Sequence, residues 1–438
     1  MPELSGWGRT APSWAQTPSP AEDLGRLVRG SHPRGVLARG LGRSYGDAAQ
    51  NSGGLVLAPG PPSITVDRTR HVATVSAGTS LHDLMRQVMP MGYFVPVTPG
   101  TRYVSVGGAI ACDIHGKNHH LSGSFAQHVE SLDLIGPDGT TRTLGQDTDD
   151  FWLTAGGMGL TGIITSAVLR LTPVETSLMS VDTERVPDLH TLMRRMRESD
   201  DDHTYSVAWI DTLASGRALG RSVLTRGEHA SAQQVRHRRR GGALPAEPRL
   251  TAPPYAPGWL ISRPTTKVFN EMWFRKAPAH RVGEITDIPA FFHPLDGVAG
   301  WNRLYGRRGF VQYQFVVPDA GEQAMVEIVR RLADAGHPSF LAVLKRFGPG
   351  NRAPLSFPMS GWTLAVDLPT HPGLRTLLAE LDRIVVAAAG RLYLAKDSRL
   401  DAETLSAMYP RLDEFRAGLR RLDPDRVFRS DLARRLDL

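Results

Sequence analysis

Apolar and polar positions follow two textures along the chain, and the change between them divides it. In residues 1–176, short alternating runs are broken by glycine-rich stretches. "VLA" at 36–38, "GGLVLAP" and "ITVDRTRHVATVSAGTS" predict strands, and "LHDLMRQVMPMG" predicts a helix capped by Ser80. "HVESLDLIGPDGTTRTL" predicts a hairpin, because "PDG" separates two alternating apolar runs. "FWLTAGGMGLTGIITSAVLRLTPVE" reads as a helical turn, a glycine-rich bend and a long strand. Near the start, Ser19 with Glu22 three residues later carries a capping pattern for a helix in "SPAEDLGRLVRG".

From residue 177 strand-like alternation dominates, in "TYSVAWID" (204–211), "RSVLTRG" (221–227), "GFVQYQFVVP" (309–318) and "GWTLAVDLP" (361–369). Helical periodicity appears at 320–336 and 374–390. Together these predict an antiparallel sheet covered by helices, hence an α+β protein. Residues 228–266, rich in Pro, Gly and Arg, predict a mobile loop. The tail opens on "RLYLAKDSR" and continues as amphipathic helices. The expected organisation is a domain over 1–176, a second over 177–390, and a segment over 391–438 that packs back onto the first.

Composition narrows the class without choosing a function. The 438 residues suit two or three domains at about 150 residues each. Hydrophobic content of 41% and charged content of 22% are those of a soluble protein. The longest apolar runs, such as "IVVAAA" at 384–389, are too short to cross a bilayer, and no basic, then apolar, leader opens the chain. The expected location is the cytoplasm or the periphery of the plasma membrane or cell envelope. A single cysteine, Cys112, excludes an internal disulfide and a multi-cysteine metal site. The net charge of +7 suits anionic partners. "RHRRR" at 236–240 lacks interleaved aromatics and reads as a solvated loop, not a nucleic-acid site.

The candidate chemistry lies in three glycine clusters. The first runs through Ala38, Arg39, Gly40, Leu41, Gly42, Arg43, Ser44, Tyr45, Gly46, Asp47 and Ala48. The second contains Gly100, Ser105, Val106, Gly107, Gly108, Cys112, Asp113, Ile114 and His115, and the third is "GGMGLTGII", ending at Ile164. Bare backbone exposes N–H groups that cradle anions. Gly40-x-Gly42-x-x-x-Gly46 is not the dinucleotide fingerprint, and no Gly-Lys-Ser/Thr follows. Three such loops suit a long phosphate-bearing cofactor. His115 and His119 stand at i,i+4, but Gly116 disfavours a helix between them, so no metal is expected.

At these residues the chain resembles the FAD-binding domain of the vanillyl-alcohol-oxidase-type flavoproteins. "SGWGRTAPS", "WNRLYGRRGFVQYQFVVP", "FGPGNRAPLSFPMSGWTLAVDLP", "RLYLAKDSR" and "MYPRLDEF" are similar to the decaprenylphosphoryl-β-D-ribose oxidases of mycobacteria and relatives. The resemblance spans nearly the whole chain and is weakest at 177–300. It implies non-covalent FAD and oxidation of the ribose 2-hydroxyl on a polyprenyl phosphate to a 2-keto sugar. It further implies an NAD-dependent keto-reductase partner that completes epimerisation to an arabinose donor for cell-wall arabinan, a quinone electron acceptor and peripheral membrane contact. It assigns the loop residues above, with Tyr393, to the cofactor.

The resemblance also places Lys396 as the active-site lysine, His115 against the flavin without a covalent bond, and Lys117 toward the sugar or its phosphate. The implied substrate pocket holds Trp209, Gln312, Gln314, Lys345, Phe347 and Ala365. By themselves, a lysine near the C-terminus reads as a surface residue. Gln312 and Gln314 share one face of a strand, which fits an exposed face as well as a pocket. Two departures stand out: Ala365, preceded by Thr363, replaces the family's pocket cysteine, and Phe292 replaces a pocket tyrosine. The rival readings are an oxygen-using aldonolactone or sugar-alcohol oxidase and a flavin-binding scaffold without turnover. The expectation is checked by absorbance: purified protein should be yellow, and denaturation should release the band as free FAD.

Overall fold

The structure, a computed structural model, describes all residues except 20–22, 31, 237–247, 249, 255 and 258. The first part is organised on a five-stranded antiparallel sheet. Its order is Ile64–Asp67, Val72–Ser76, Ile163–Arg170, Val129–Ile135 and Thr141–Gly145. The last two form the hairpin expected around "PDG". The helix Leu81–Val88 is capped by Ser80, whose Oγ accepts from the Asp83 amide at 3.0 Å. It buries Leu81, Leu84, Met85 and Val88 against Ala73, Val75 and Leu169 of the sheet. Beside this layer, Val36–Ala38 pairs in parallel with Leu55–Leu57, and the first glycine loop leaves the end of that pair.

The second part is an eight-stranded antiparallel sheet. Its order is His280–Asp287, Leu178–Val186, Ser222–His229, Tyr205–Ile210, Ala342–Phe347, Gly361–Pro369, Phe310–Val317 and Arg391–Leu392. The helices Glu322–Ala335 and Leu374–Ala387 cover one face. Ile328, Leu332, Leu378 and Leu381 pack there with Phe315, Leu344, Leu364 and Val366 in one core. Directly opposed residues of an antiparallel pair point to the same side. The registers Gln312↔Asp367, Gln314↔Ala365, Val343↔Ala365, Lys345↔Thr363 and Trp209↔Val343 therefore send all these side chains to the other face. No described helix is long and apolar enough to cross a membrane.

The tail joins the two parts. Arg391–Leu392 closes the large sheet, and the helices Ala402–Met408, Leu412–Leu422 and Asp431–Leu436 follow. Arg435 pairs with Asp47 at 2.7 Å and Asp397 at 2.8 Å, and the Tyr45 amide donates to the Ala395 carbonyl at 2.9 Å. The first glycine loop is thereby fixed against the segment that carries Lys396.

Two expectations are corrected here, and a third falls outside the described residues. The first helix is Leu24–Arg29, and its cap is Asp23, which accepts from the amides of Gly25 at 2.9 Å and Arg26 at 3.2 Å. Ser19 is not that cap, and Pro20 and Glu22 lie outside the described residues. The interval 228–266 overlaps the end of the strand Ser222–His229 and the start of a helix, Arg263–Lys276. That helix and the strand His280–Asp287 escaped the apolar periodicity because most of their apolar positions do not face inward. "RHRRR" lies outside the described residues apart from Arg236.

At Gly46 an added Cβ would stand 1.9 Å from the Asp397 carbonyl oxygen, so only glycine permits this approach. Gly46→Ala is expected to lower stability by about 1–3 kcal/mol, read as a fall in the thermal unfolding midpoint with loss of bound flavin.

Candidate active site

The three glycine loops and the free face of the eight-stranded sheet enclose one cavity of about 640 Å³. The loops contribute Ala38, Gly40, Leu41, Gly42, Arg43, Ser44, Tyr45 and Ala48, then Gly100, Ser105, Gly107, Gly108, Cys112, Ile114 and His115, then Ile164. The sheet and tail contribute Trp209, Gln312, Gln314, Lys345, Ala365, Tyr393 and Lys396. Lys117 and Phe292 border the same space. Residues scattered over more than 350 positions thus converge because the tail carries its strand back to the first loop.

Six of the singled-out residues lie outside the cavity wall. Arg39 donates to the carbonyls of Ala49 and Ser5, each at 2.7 Å, and Asp47 holds Arg435. Gly46 meets the tail, and Val106 is core. Asp113 has φ of 39° and accepts from Ser356 Oγ at 2.5 Å, Asn351 Nδ2 at 2.6 Å and the Ala126 amide at 3.1 Å. Phe347 supports the site from behind, its ring 4.8 Å from that of His115. These six shape the loops without bordering the cavity. Lys117 borders the cavity, and its ammonium also donates to the Phe291 carbonyl and sits 4.2 Å over that ring.

The two amides are held in fixed orientations. Gln314 Nε2 lies 3.0 Å from His115 Nε2 and 3.4 Å from Thr363 Oγ1. Burial, and then the positive charge of Lys345, push the His115 pKa well below its ordinary value. A neutral imidazole accepts the amide N–H, so the amide itself selects the tautomer. Gln312 Nε2 donates to Asp367 Oδ1 at 2.5 Å and to Tyr45 OH at 3.1 Å, and Tyr305 OH is 3.5 Å from Asp367 Oδ2. Asp367 and Tyr305 were missed in the sequence. An available signal for Asp367 was alternation: Thr363, Ala365 and Asp367 share a face within an otherwise apolar strand.

Three lysines dominate the electrostatics. Lys117, Lys345 and Lys396 are each half-buried because the cavity reaches them, and each sits deep in the molecule. Among the described residues, none of the three takes part in an ion pair. Burial, reinforced by Lys345, lowers Lys117 to about 7. Burial, reinforced by Lys396, lowers Lys345 to about 7. Burial lowers Lys396 only to about 8, because Asp367 opposes the shift, and its Nζ lies 4.0 Å over the Tyr45 ring. Asp367 is itself raised to about 7 by burial, against its bond from Gln312.

The loops have the chemistry of a cradle for a long anionic cofactor. Among the described residues, an added Cβ at Gly100 meets nothing within 4 Å. Arg43 Nε and His115 Nδ1 are buried without a hydrogen-bond partner among the described residues, and both residues border the cavity. Such donors without acceptors fit a ligand that brings its own phosphate and carbonyl oxygens.

Comparison with known proteins agrees. A family described as an FAD binding domain matches residues 13–145, and one described as D-arabinono-1,4-lactone oxidase matches residues 320–436. The chain is similar to decaprenylphosphoryl-beta-D-ribose oxidase of Mycolicibacterium smegmatis, at 46% identity over 99% of this chain and 97% of that protein. More distant likenesses are L-gulono-1,4-lactone dehydrogenase of Mycobacterium tuberculosis, 24% identical over 97% and 96% of the two chains, and alditol oxidase of a Streptomyces species, 26% identical over 96% and 94%.

Ala365 offers only a methyl group to the cavity, and the lone thiol, Cys112, is held protonated by burial, which pushes its pKa up to about 11. A thiol-directed electrophile that fills the cavity should leave the intact mass of the protein unchanged; a stable adduct on a cavity residue would contradict this.

Proposed function

Because this chain belongs to the family of the decaprenylphosphoryl-β-D-ribose oxidases, we propose that it oxidises the 2-hydroxyl of a ribose carried on decaprenyl phosphate. The observation that carries this reading is the near-complete alignment, at 46% identity, of a chain whose cavity presents fixed amides and ammonium groups. FAD, when bound, supplies the acceptor for the hydride that leaves the sugar carbon. The protein's residues hold the sugar and manage its charge.

Amides suit a sugar because they bind hydroxyls without ionising. Asp367 and Tyr45 occupy the nitrogen of Gln312, which leaves its carbonyl oxygen to accept a sugar hydroxyl. His115 and Thr363 similarly fix Gln314. Lys396 is the group we assign to the reacting oxygen: its ammonium stabilises the charge that builds there as the hydroxyl proton passes to solvent. Lys345 and Lys117 are assigned to the anionic linkage between sugar and lipid. Phe292 and Ala365 fill wall positions by shape alone.

The keto product calls for an NAD-dependent reductase as partner, and a quinone is our proposed recipient of the electrons. A lipid-linked substrate places the work at a membrane surface. An oxygen-using sugar or lactone oxidase is the second reading, favoured by the family match at 320–436. It would yield peroxide from free sugars.

Lys396→Met is expected to retain FAD yet lose at least about 100-fold in the rate at which the prenyl-linked ribose bleaches the flavin. Since the working form is the ammonium, the wild-type rate should fall as pH rises through about 8. A single-turnover rate that holds level to pH 10 (about the ordinary lysine value) would remove Lys396 from this role.

A further inference from the structure

The helix Arg263–Lys276 is built inside out. Its buried side chains are polar: Thr266, and Asn270, whose Nδ2 donates to Asp211 Oδ1 at 2.7 Å and to the Ser339 carbonyl at 3.3 Å. Its outward side chains are Val268, Phe269, Met272 and Trp273, one stripe along the helix. Val268 is 60% exposed and Met272 is 67% exposed, where a surface helix ordinarily turns such residues inward. The segment before the helix exposes Trp259 and Leu260, and the edge strand after it exposes Val282. Large apolar side chains grouped on the exposed face of one helix mark an interaction surface.

Two features choose its occupant. Arg263, Lys267, Arg275 and Lys276 stand against the single acid Glu271, so the helix is cationic as well as apolar outside. That combination suits an anionic bilayer interface. The stripe also runs into the cavity: Trp273 belongs to the exposed face and to the cavity wall, beside Glu284 and Thr286 of the edge strand. Tryptophan favours the boundary between acyl chains and head groups.

We propose that the outer face of the helix Arg263–Lys276 docks on an anionic membrane, so that a lipid-linked substrate passes from the bilayer along Trp273 into the cavity. This rests on the reading of the substrate as a polyprenyl-linked ribose. The docked stripe lies in the acyl–headgroup boundary, and the basic residues meet lipid phosphates. Membrane and active site are then one continuous surface, and the prenyl chain need never cross open water.

The test is flotation of the FAD-loaded full chain with vesicles of phosphatidylglycerol and phosphatidylcholine, or of phosphatidylcholine alone. Wild type should float with the anionic vesicles in preference to the neutral ones. The double variant Val268→Glu, Met272→Glu should lose at least about tenfold in the bound fraction. It should keep its flavin and its turnover of water-soluble farnesylphosphoryl ribose, since neither residue borders the cavity. Wild type that stays in the soluble fraction with both vesicles overturns the proposal. So does a wild-type dimer without vesicle binding that the double variant splits, as seen by sedimentation, because the stripe then seats a second copy. Failure of the functional reading shows separately, as flavin that farnesylphosphoryl ribose leaves unbleached, and flotation still decides the docking face.

Discussion

Lys117, Lys345 and Lys396 share one cavity, and among the described residues none has a carboxylate at ion-pair distance. Isolated charges away from water are costly, and proteins accommodate them by shifting the pKa toward the neutral form or by binding a counter-charge. Here all three ammonium groups are lowered, and Asp367 restrains the shift only at Lys396. The site is therefore poised for anions. A diphosphate cofactor along the glycine loops and, on the proposed function, a phosphate-linked sugar by the lysines would supply the charge that the protein omits. The amides, the neutral histidine and the aromatic walls all operate in the field set by this imbalance.

Two structural devices keep that field in place. The register of the eight-stranded sheet aims Trp209, Gln312, Gln314, Lys345 and Ala365 at one side while helices cover the other, and a one-residue slip would turn each of them away. The tail then brings Lys396 beside Tyr45 through backbone contacts that only glycine at position 46 allows. Neighbouring residues divide the labour: Arg39, Asp47 and Asp113 hold the loops, while Gly40, Gly42 and Arg43 face the cavity. The inverted helix Arg263–Lys276 extends the same economy outward, since its Trp273 continues the apolar wall from the site to the surface.

By itself the sequence determined the two textures, the hairpin at "PDG", the Ser80 cap, the covering helices and the glycine loops, because period, turn residues and caps act over a few residues. The likeness of "RGLGRSYGD" and "YLAKDSR" to one flavoprotein family also lies in the sequence. Only the tertiary structure decided that Gln312 and Gln314 line a pocket and not an exposed face, since strand periodicity names a face but not what covers it. The same holds for Lys117, drawn to Phe291, and for Asp367, whose meaning comes from Gln312 across the sheet. The helix Arg263–Lys276 was illegible for the opposite reason: its apolar stripe faces out, so the usual link between periodicity and burial points the wrong way. Local order is written along the chain, whereas charge balance and burial are set by residues hundreds of positions apart.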